Sequence, residues 1–417
     1  MFRILFERVM KIRHAFAALL AAALLSSATA APAVAAPPVA SVTCADVRAN
    51  PATAHAPCLD AGTTGPGLPG GEKPPQFVMF THDDALTTEV FDLVGAIRRC
   101  GAPMTFYAFE NRTDCAYARA FHENGDEIAL HTRSHSHLTS VQADRLRDEA
   151  VGSVRTFLNE TCGIPLEDLV GFRAPFLETD AAVRRALYAD GKIRYDSTYS
   201  DLYPSEWSLD AANRLWPYTQ HDPNGPFKNS TAGDVESYPG MWSLPLLNMQ
   251  GAGQSSSFTM DPPKFATEDG SSFVYGTAPA MLALLKKNFD EVYAGSRAPI
   301  GVYVHVGWLA QPGFTDAVSE FVAYVNNHSD ARFATASQLV DWLENPVPAS
   351  AMPPRDLTCR VAVVVETPES FWERTWMYWL IPIITIGPVF AALAVSGIMA
   401  LVRRTGNQTI PDVSSNV

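Results

Sequence analysis

The stretch Thr81-His82-Asp83-Asp84 closes an apolar run, Gln76 to Phe80, with three titratable groups in a row. Two neighbouring carboxylates repel, and each is costly to desolvate unless a cation sits beside it. A second stretch, His131-Thr132-Arg133-Ser134-His135, spaces two imidazoles four residues apart. One helical turn there would bring both rings to one side, as a divalent metal needs. It lacks the glutamate of His-Glu-x-x-His, so a third ligand and a base must come from elsewhere. The aspartate pair can supply both. Consecutive residues of an extended segment point to opposite sides, so one carboxylate can bind the metal while the other faces its water. Two histidines and one carboxylate leave positions open for water and a substrate oxygen, the donor set of a catalytic zinc. Paired-carboxylate glycosidase chemistry needs side chains roughly 5 to 9 Å apart across a bond, which adjacent aspartates do not offer.

These groups must be held by strands. Short β-rich runs alternate with helical patterns: "QFVMFT", "PMTFYAF", "DEIALH", "LVGFRAP" and "IGVYVHV" are strands, each followed by a helix. The helices are expected through Phe91 to Ile97, Ala116 to Asn124, Ser140 to Asn159, Asp180 to Asp190 and Thr315 to His328. Strands alternating with helices imply parallel βαβ units, whose working residues collect at the C-terminal ends of the strands. His82-Asp83-Asp84, His131, Arg173 and His305 all stand there.

The chain has 417 residues, 47% of them hydrophobic, and a net charge of -13. That acidity leaves no basic face for phosphates and excludes nucleic acid as a partner. Residues 1–35 carry a basic start, the apolar stretch Ala15 to Leu25 and A-x-A sites, the pattern of a secretory signal peptide. A Pro/Gly-rich linker is expected over 36–75, a single catalytic domain over 76–346 and a stalk over 347–378. Residues 379–402 run without a charge, long enough for one transmembrane helix. Arg403 and Arg404 follow, which assigns 403–417 to the cytoplasm and the catalytic domain to the outside, as a single-pass membrane protein of the secretory pathway. All six cysteines fall on the predicted outer side, an even number suited to an oxidising compartment, and sequons at Asn111, Asn159, Asn229 and Asn327 are glycosylation candidates.

The ordered set of motifs resembles carbohydrate esterase family 4, the polysaccharide deacetylases, in its chitin deacetylase-like branch. The family's Thr-Phe-Asp-Asp is here Thr81-His82-Asp83-Asp84, and its His-(Ser/Thr)-x-x-His is His131 to His135. Its Arg-x-Pro-(Phe/Tyr) is Arg173-Ala174-Pro175-Phe176, and its Leu-x-x-His appears as Val302-Tyr303-Val304-His305. The resemblance implies an irregular (β/α) barrel with Asp84, His131 and His135 on a divalent metal, Zn2+ or else Co2+. It implies Asp83 as general base, Arg173 as that base's partner and His305 as general acid. Asp196 would hold the His305 imidazole. Phe176 is expected to stabilise the oxyanion through its backbone, with Tyr303 and Trp308 beside the substrate. The implied reaction is removal of acetate from N-acetylglucosamine units of chitin or a related polymer. The alternative is a barrel without turnover, kept as a wall-binding or adhesion protein. Three positions depart from the pattern. His82 stands where phenylalanine is usual, a packed imidazole being the expectation rather than an extra ligand. Tyrosine follows Asp196 where tryptophan is usual, and His137 has no counterpart and is read as surface.

Overall fold

Eight consecutive buried residues, Gln76–Asp83, form β1, a run without polar alternation because both of its faces are covered. The structure, a computed structural model, describes residues 58–98, 101–200, 214–222, 236–251, 257–267 and 272–355. Along the chain β1 is followed by β2 (Met104–Ala108), β3 (Glu127–Leu130), β4 (Gly171–Phe172), β5 (Tyr195–Asp196), β6 (Tyr218–Thr219) and β7 (Trp242–Ser243). Then come β8 (Met249–Gln250), β9 (Ser257–Phe258), β10 (Lys264–Ala266), β11 (Phe273–Tyr275), β12 (Ile300–Val304) and β13 (Ala331–Phe333). The main sheet runs β12-β1-β2-β3-β4-β5-β7-β6, with β13 also paired to β1; β8 with β9 and β10 with β11 form separate ribbons.

The expected alternation is present. Helices Thr88–Arg98, Cys115–Glu123, Ala181–Asp190 and Phe314–Asn326 follow β1, β2, β4 and β12. Where one helix was expected from Ser140 to Asn159, a helical run starts at Ala143 and passes through two π-helical turns, Asp148–Gly152 and Phe157–Thr161. A disulfide joins Cys115 to Cys162, pinning the end of that run to the start of the helix after β2. On the helix-facing side of the sheet Phe80 meets Phe321 and Phe333, and Phe106 stacks on Phe121 at 4.1 Å. Burying each such ring contributes about 1.5–3 kcal/mol.

Two expectations are corrected. The sheet is an open, curled half-barrel: its path ends at β12 and at β6, and no pairing joins those ends among the described residues. The strands from β4 to β7 are two residues each, and β6 lies antiparallel to β7, which breaks the parallel repeat of a closed (β/α) barrel. The expected C-terminal transmembrane helix is the second. No helix among the described residues is long and apolar enough to cross a membrane. The longest, Ala278–Ala294, carries Lys286, Lys287, Asp290 and Glu291. Residues 379–402 lie outside the described residues, as do residues 1–35, where a signal peptide was expected. The membrane partner and the single-pass extracellular placement rested on those residues, and no described helix supplies the span they require.

At the N-terminal ends of the strands a buried carboxylate closes the base of the sheet. Glu127 accepts from Thr105 Oγ1 at 3.1 Å, Tyr195 Oη at 2.8 Å and the Ser337 amide at 2.8 Å. Tyr195 reaches Glu127 by lying across Gly171 of β4, where a Cβ would collide with the tyrosine ring. Gly171→Ala should therefore displace Tyr195, release its bond to Glu127 and cost about 1–3 kcal/mol, the usual range for overpacking. Urea unfolding measures it; an unchanged midpoint would show that the ring has room to move.

Candidate functional site

Thr81 and Asp83 lie two apart on β1 and so share one face, and Arg173, directly after β4, reaches both. Its Nη1 donates to Asp83 Oδ1 at 2.5 Å and to Thr81 Oγ1 at 2.8 Å. Nε donates to the Ser197 carbonyl at 2.9 Å and Nη2 to Ser197 Oγ at 3.0 Å. The guanidinium is fully buried and lies 3.9 Å over the Tyr107 ring and 5.1 Å from that of Tyr303. Burial opposes its charge, but the Asp83 carboxylate more than offsets this and raises its pKa.

Asp84 leaves the strand with φ 94°, which sends the second carboxylate away from the first. Its Oδ1 lies 3.0 Å from His135 Nε2 and 3.9 Å from His131 Nε2, and it has no aligned hydrogen-bond donor. The ligand atoms of Asp84, His131 and His135 all fall within 4.8 Å of one another. His131 Nδ1 donates to the Arg173 carbonyl at 2.8 Å, which fixes the tautomer and leaves Nε2 with its lone pair toward the group. Burial lowers the His131 pKa to about 4, so the ring is a neutral ligand at pH 7. Burial also pushes Asp84 upward, but the closeness of His135 Nε2 and the charges of His305 and His131 outweigh it and bring the carboxyl to about 2. Two neutral-capable imidazoles and an ionised carboxylate on one point fit a divalent cation.

The two histidines do not share a helical turn, as the spacing suggested. The segment after β3 is irregular, with Thr132 at φ 76° and His135 at φ 60°, and Thr132 Oγ1 accepts from the His135 amide at 2.9 Å. Seven non-glycine residues among those described have positive φ, and Asp84, Thr132, His135, Phe176, Leu177 and Asp261 all belong to this region. Each costs about 1–3 kcal/mol where the backbone is strained, so their concentration here favours function over stability.

His305 follows β12, and the expected Asp196 does not hold it. Asp261 does: it accepts from the His305 amide at 2.8 Å and from His305 Nδ1 at 2.9 Å. Asp261 is buried, has φ 56° and also meets Lys264 Nζ at 3.1 Å. Burial works against the His305 cation, but the hydrogen bond and charge of Asp261 outweigh it and raise the pKa to about 9. Sequence reasoning missed Asp261 because it sits in "TMDPPKF", outside any strand–helix repeat. An aspartate before two prolines was the only signal. Asp196 instead accepts from Thr198 Oγ1 at 2.5 Å, and Thr198 Oγ1 accepts from the Ala174 amide at 3.0 Å, so it braces the Arg173–Phe176 turn.

Tyr303 and Trp308 are buried and offer no face to a substrate. Tyr303 Oη donates to the Pro245 carbonyl at 3.2 Å and accepts from the Leu247 amide at 3.1 Å, while Trp308 Nε1 donates to the Pro262 carbonyl at 2.8 Å. Phe176 is 53% exposed, beside His135 at 4.7 Å between ring centres. His82 is fully buried and tilted against Phe106, and neither ring nitrogen has a hydrogen-bond partner. Burial lowers its pKa to about 4.

The polysaccharide deacetylase family model matches residues 70–192. The match to that family is confined to this segment. It holds Asp83, Asp84, His131, His135 and Arg173, and stops short of Asp261 and His305. The chain is 27% identical to chitin deacetylase 8 of Bombyx mori over 70% of its own length and 76% of that protein's. It is 25% identical to chitin deacetylase 1 of the same organism over 69% of its length, spanning about half (54%) of that relative. A Mycobacterium smegmatis structure described as a polysaccharide deacetylase is 20% identical, with a TM-score of 0.47, over 72% of this chain and 98% of that one.

Two measurements follow from this geometry. His305 has a folded pKa above its unfolded value near 6.5, so its contribution to stability is complete below about 6.5 and is lost as pH rises through about 9. In the metal-free protein, Asp261→Asn should lower the imidazole pKa clearly from about 9, because only the charges of Asp83 and Asp84 then remain to offset burial; NMR titration reads it, and a value still near 9 refutes the assignment. His82→Phe removes two unpaired buried nitrogens and should raise stability by about 1–3 kcal/mol with metal affinity intact. Weaker metal binding in that variant would make His82 part of the site.

Proposed function

We propose that this protein is a metal-dependent deacetylase that hydrolyses the acetamide of N-acetylglucosamine units in chitin or a related polymer, releasing acetate. The observation that carries the reading is the convergence of the Asp84, His131 and His135 donors beside a carboxylate fixed by Arg173 and an imidazole fixed by Asp261. The two Bombyx mori relatives named as chitin deacetylases support this choice of substrate.

An amide is a poor electrophile, and its nitrogen cannot leave as an anion. A divalent cation, Zn2+ by its preference for this donor set, would be held by Asp84, His131 and His135 and would supply an acidified water and a polarised carbonyl. Asp83 accepts the proton of the attacking water. Arg173 points that carboxylate, leaving Oδ2 for the proton since Oδ1 is taken by the guanidinium. His305, with Nδ1 bonded to Asp261, has Nε2 left to donate to the departing nitrogen before the C–N bond breaks. The Phe176 amide is assigned to the oxyanion.

The two aspartates are separable. Asp84→Ala should lose metal, whereas Asp83→Asn should keep it with KM little changed and kcat lowered by about 10²- to 10⁴-fold, the usual share of general-base catalysis. Elemental analysis and acetate release from chitin oligomers check both. A metal-free Asp83→Asn beside a metal-replete Asp84→Ala would reverse the roles, and a wild type that releases no acetate from any oligomer would end the reading.

A further inference from the structure

His137, which the motif left unassigned, stacks on Phe176 with ring centres 4.0 Å apart and an interplanar angle of 11°. Phe176 in turn meets the ligand His135, so three rings run outward in series from the metal triad. The outer ring is pinned on its far side. His137 Nδ1 donates to Glu178 Oε1 at 3.0 Å, and Thr139 Oγ1 donates to Glu178 Oε2 at 3.3 Å. Both rings are nonetheless open to solvent, His137 with a side chain 58% exposed and Phe176 at 53%.

This arrangement works against stability. Phe176 and Leu177 both hold left-handed φ, 58° and 55°, a conformation that disfavours bulky residues. The chain accepts that strain and leaves a phenyl ring in water at the rim of the site. A rigid aromatic surface of this kind loses little entropy when something covers it. The ligand that suits it has an apolar face of C–H groups for the negative ring faces and a polar edge for solvent and the Glu178 carboxylate. A pyranose ring has both. His137 stands beyond Phe176 from the ligand His135, so with an acetamide at the triad the ring on the wall is assigned to the next residue of an oligomer.

We propose that His137, locked by Glu178 and stacked on Phe176, forms a wall that receives the neighbouring sugar of a polymeric substrate and so sets the preference for chain length; this rests on the deacetylase reading above. His137 is on this view a specificity-determining residue, and it takes no part in the proton transfers.

The test compares kcat/KM on chitin disaccharide and hexasaccharide for the metal-loaded wild type, His137→Ala and His137→Phe, with melting temperature and metal content recorded for each. His137→Ala should lower the hexasaccharide-to-disaccharide ratio by about 2- to 12-fold, the value of one aromatic stacking pair, chiefly through KM. His137→Phe should restore the ratio, since it keeps the ring and loses only the bond to Glu178. A stack that served merely to hold the turn would shift melting temperature and change both substrates alike, and an unchanged ratio overturns the proposal. Calorimetric binding of the hexasaccharide reads the wall without turnover. Tighter binding by wild type than by His137→Ala, even with no acetate released, would retain the wall and sink only the deacetylase reading. Equal affinities, or no binding by either, would sink the wall.

Discussion

Arg173 is a guanidinium with no access to water, and the candidate site is built around satisfying it. A buried charge of this kind is tolerable only when paired and fully hydrogen-bonded, and removing its partner costs about 3–5 kcal/mol. Its donors go to Asp83 and Thr81 on β1 and to Ser197 after β5, and its faces are covered by Tyr107 of β2 and Tyr303 of β12. One side chain thus ties together the C-terminal ends of strands that are distant in sequence. Its backbone carbonyl extends the same device, because it receives Nδ1–H of His131 and so chooses which nitrogen of that ligand is free. The carboxylate assigned as base, the tautomer of a ligand and the strand carrying His305 are all set by one residue and its neighbours.

The acid side is built by a separate device. Asp261 grips both the backbone and the ring of His305, from a segment whose bridge, Met260 to Tyr303, lies beside β12. The two carboxylates therefore do opposite work on their partners. Asp83 is held by a permanent cation, whereas Asp261 holds a titratable one and raises its pKa. The proposed amide hydrolysis would use that asymmetry, one group poised to take a proton and one poised to give it. The positive-φ residues around the site fit the same logic, since loops that leave short strands must turn sharply to converge on one point.

What was legible in the sequence was local. The uninterrupted apolar run of β1, the strand–helix alternation and a donor set of His131, His135 and one of two aspartates follow from residue type and spacing, because period and donor chemistry are properties of neighbouring residues, while the choice of Asp84 came from the family resemblance. Even there the spacing was right for a reason the structure replaces: His131 and His135 converge through a strained loop closed by Thr132, not through a helical turn.

What only the tertiary structure decided depends on groups far apart in the chain. Asp261 rather than Asp196 partners His305, because a parallel bridge brings "TMDPPKF" against β12 while Asp196 is spent on Thr198. Tyr303 and Trp308 are buried supports, a fact set by what covers them. His137 looked like surface, and it is exposed, yet it lies on Phe176 from a segment about forty residues away. Closure of the sheet was misjudged for the same reason. The strand–helix alternation can be read from periodicity, but the number of short strands and whether the last meets the first depend on shear and strand length, which two-residue strands such as β4 and β5 cannot announce. Sequence fixes which groups can do chemistry; long-range packing fixes which of them meet, because contact between distant residues is a property of the whole sheet and of no single window along the chain.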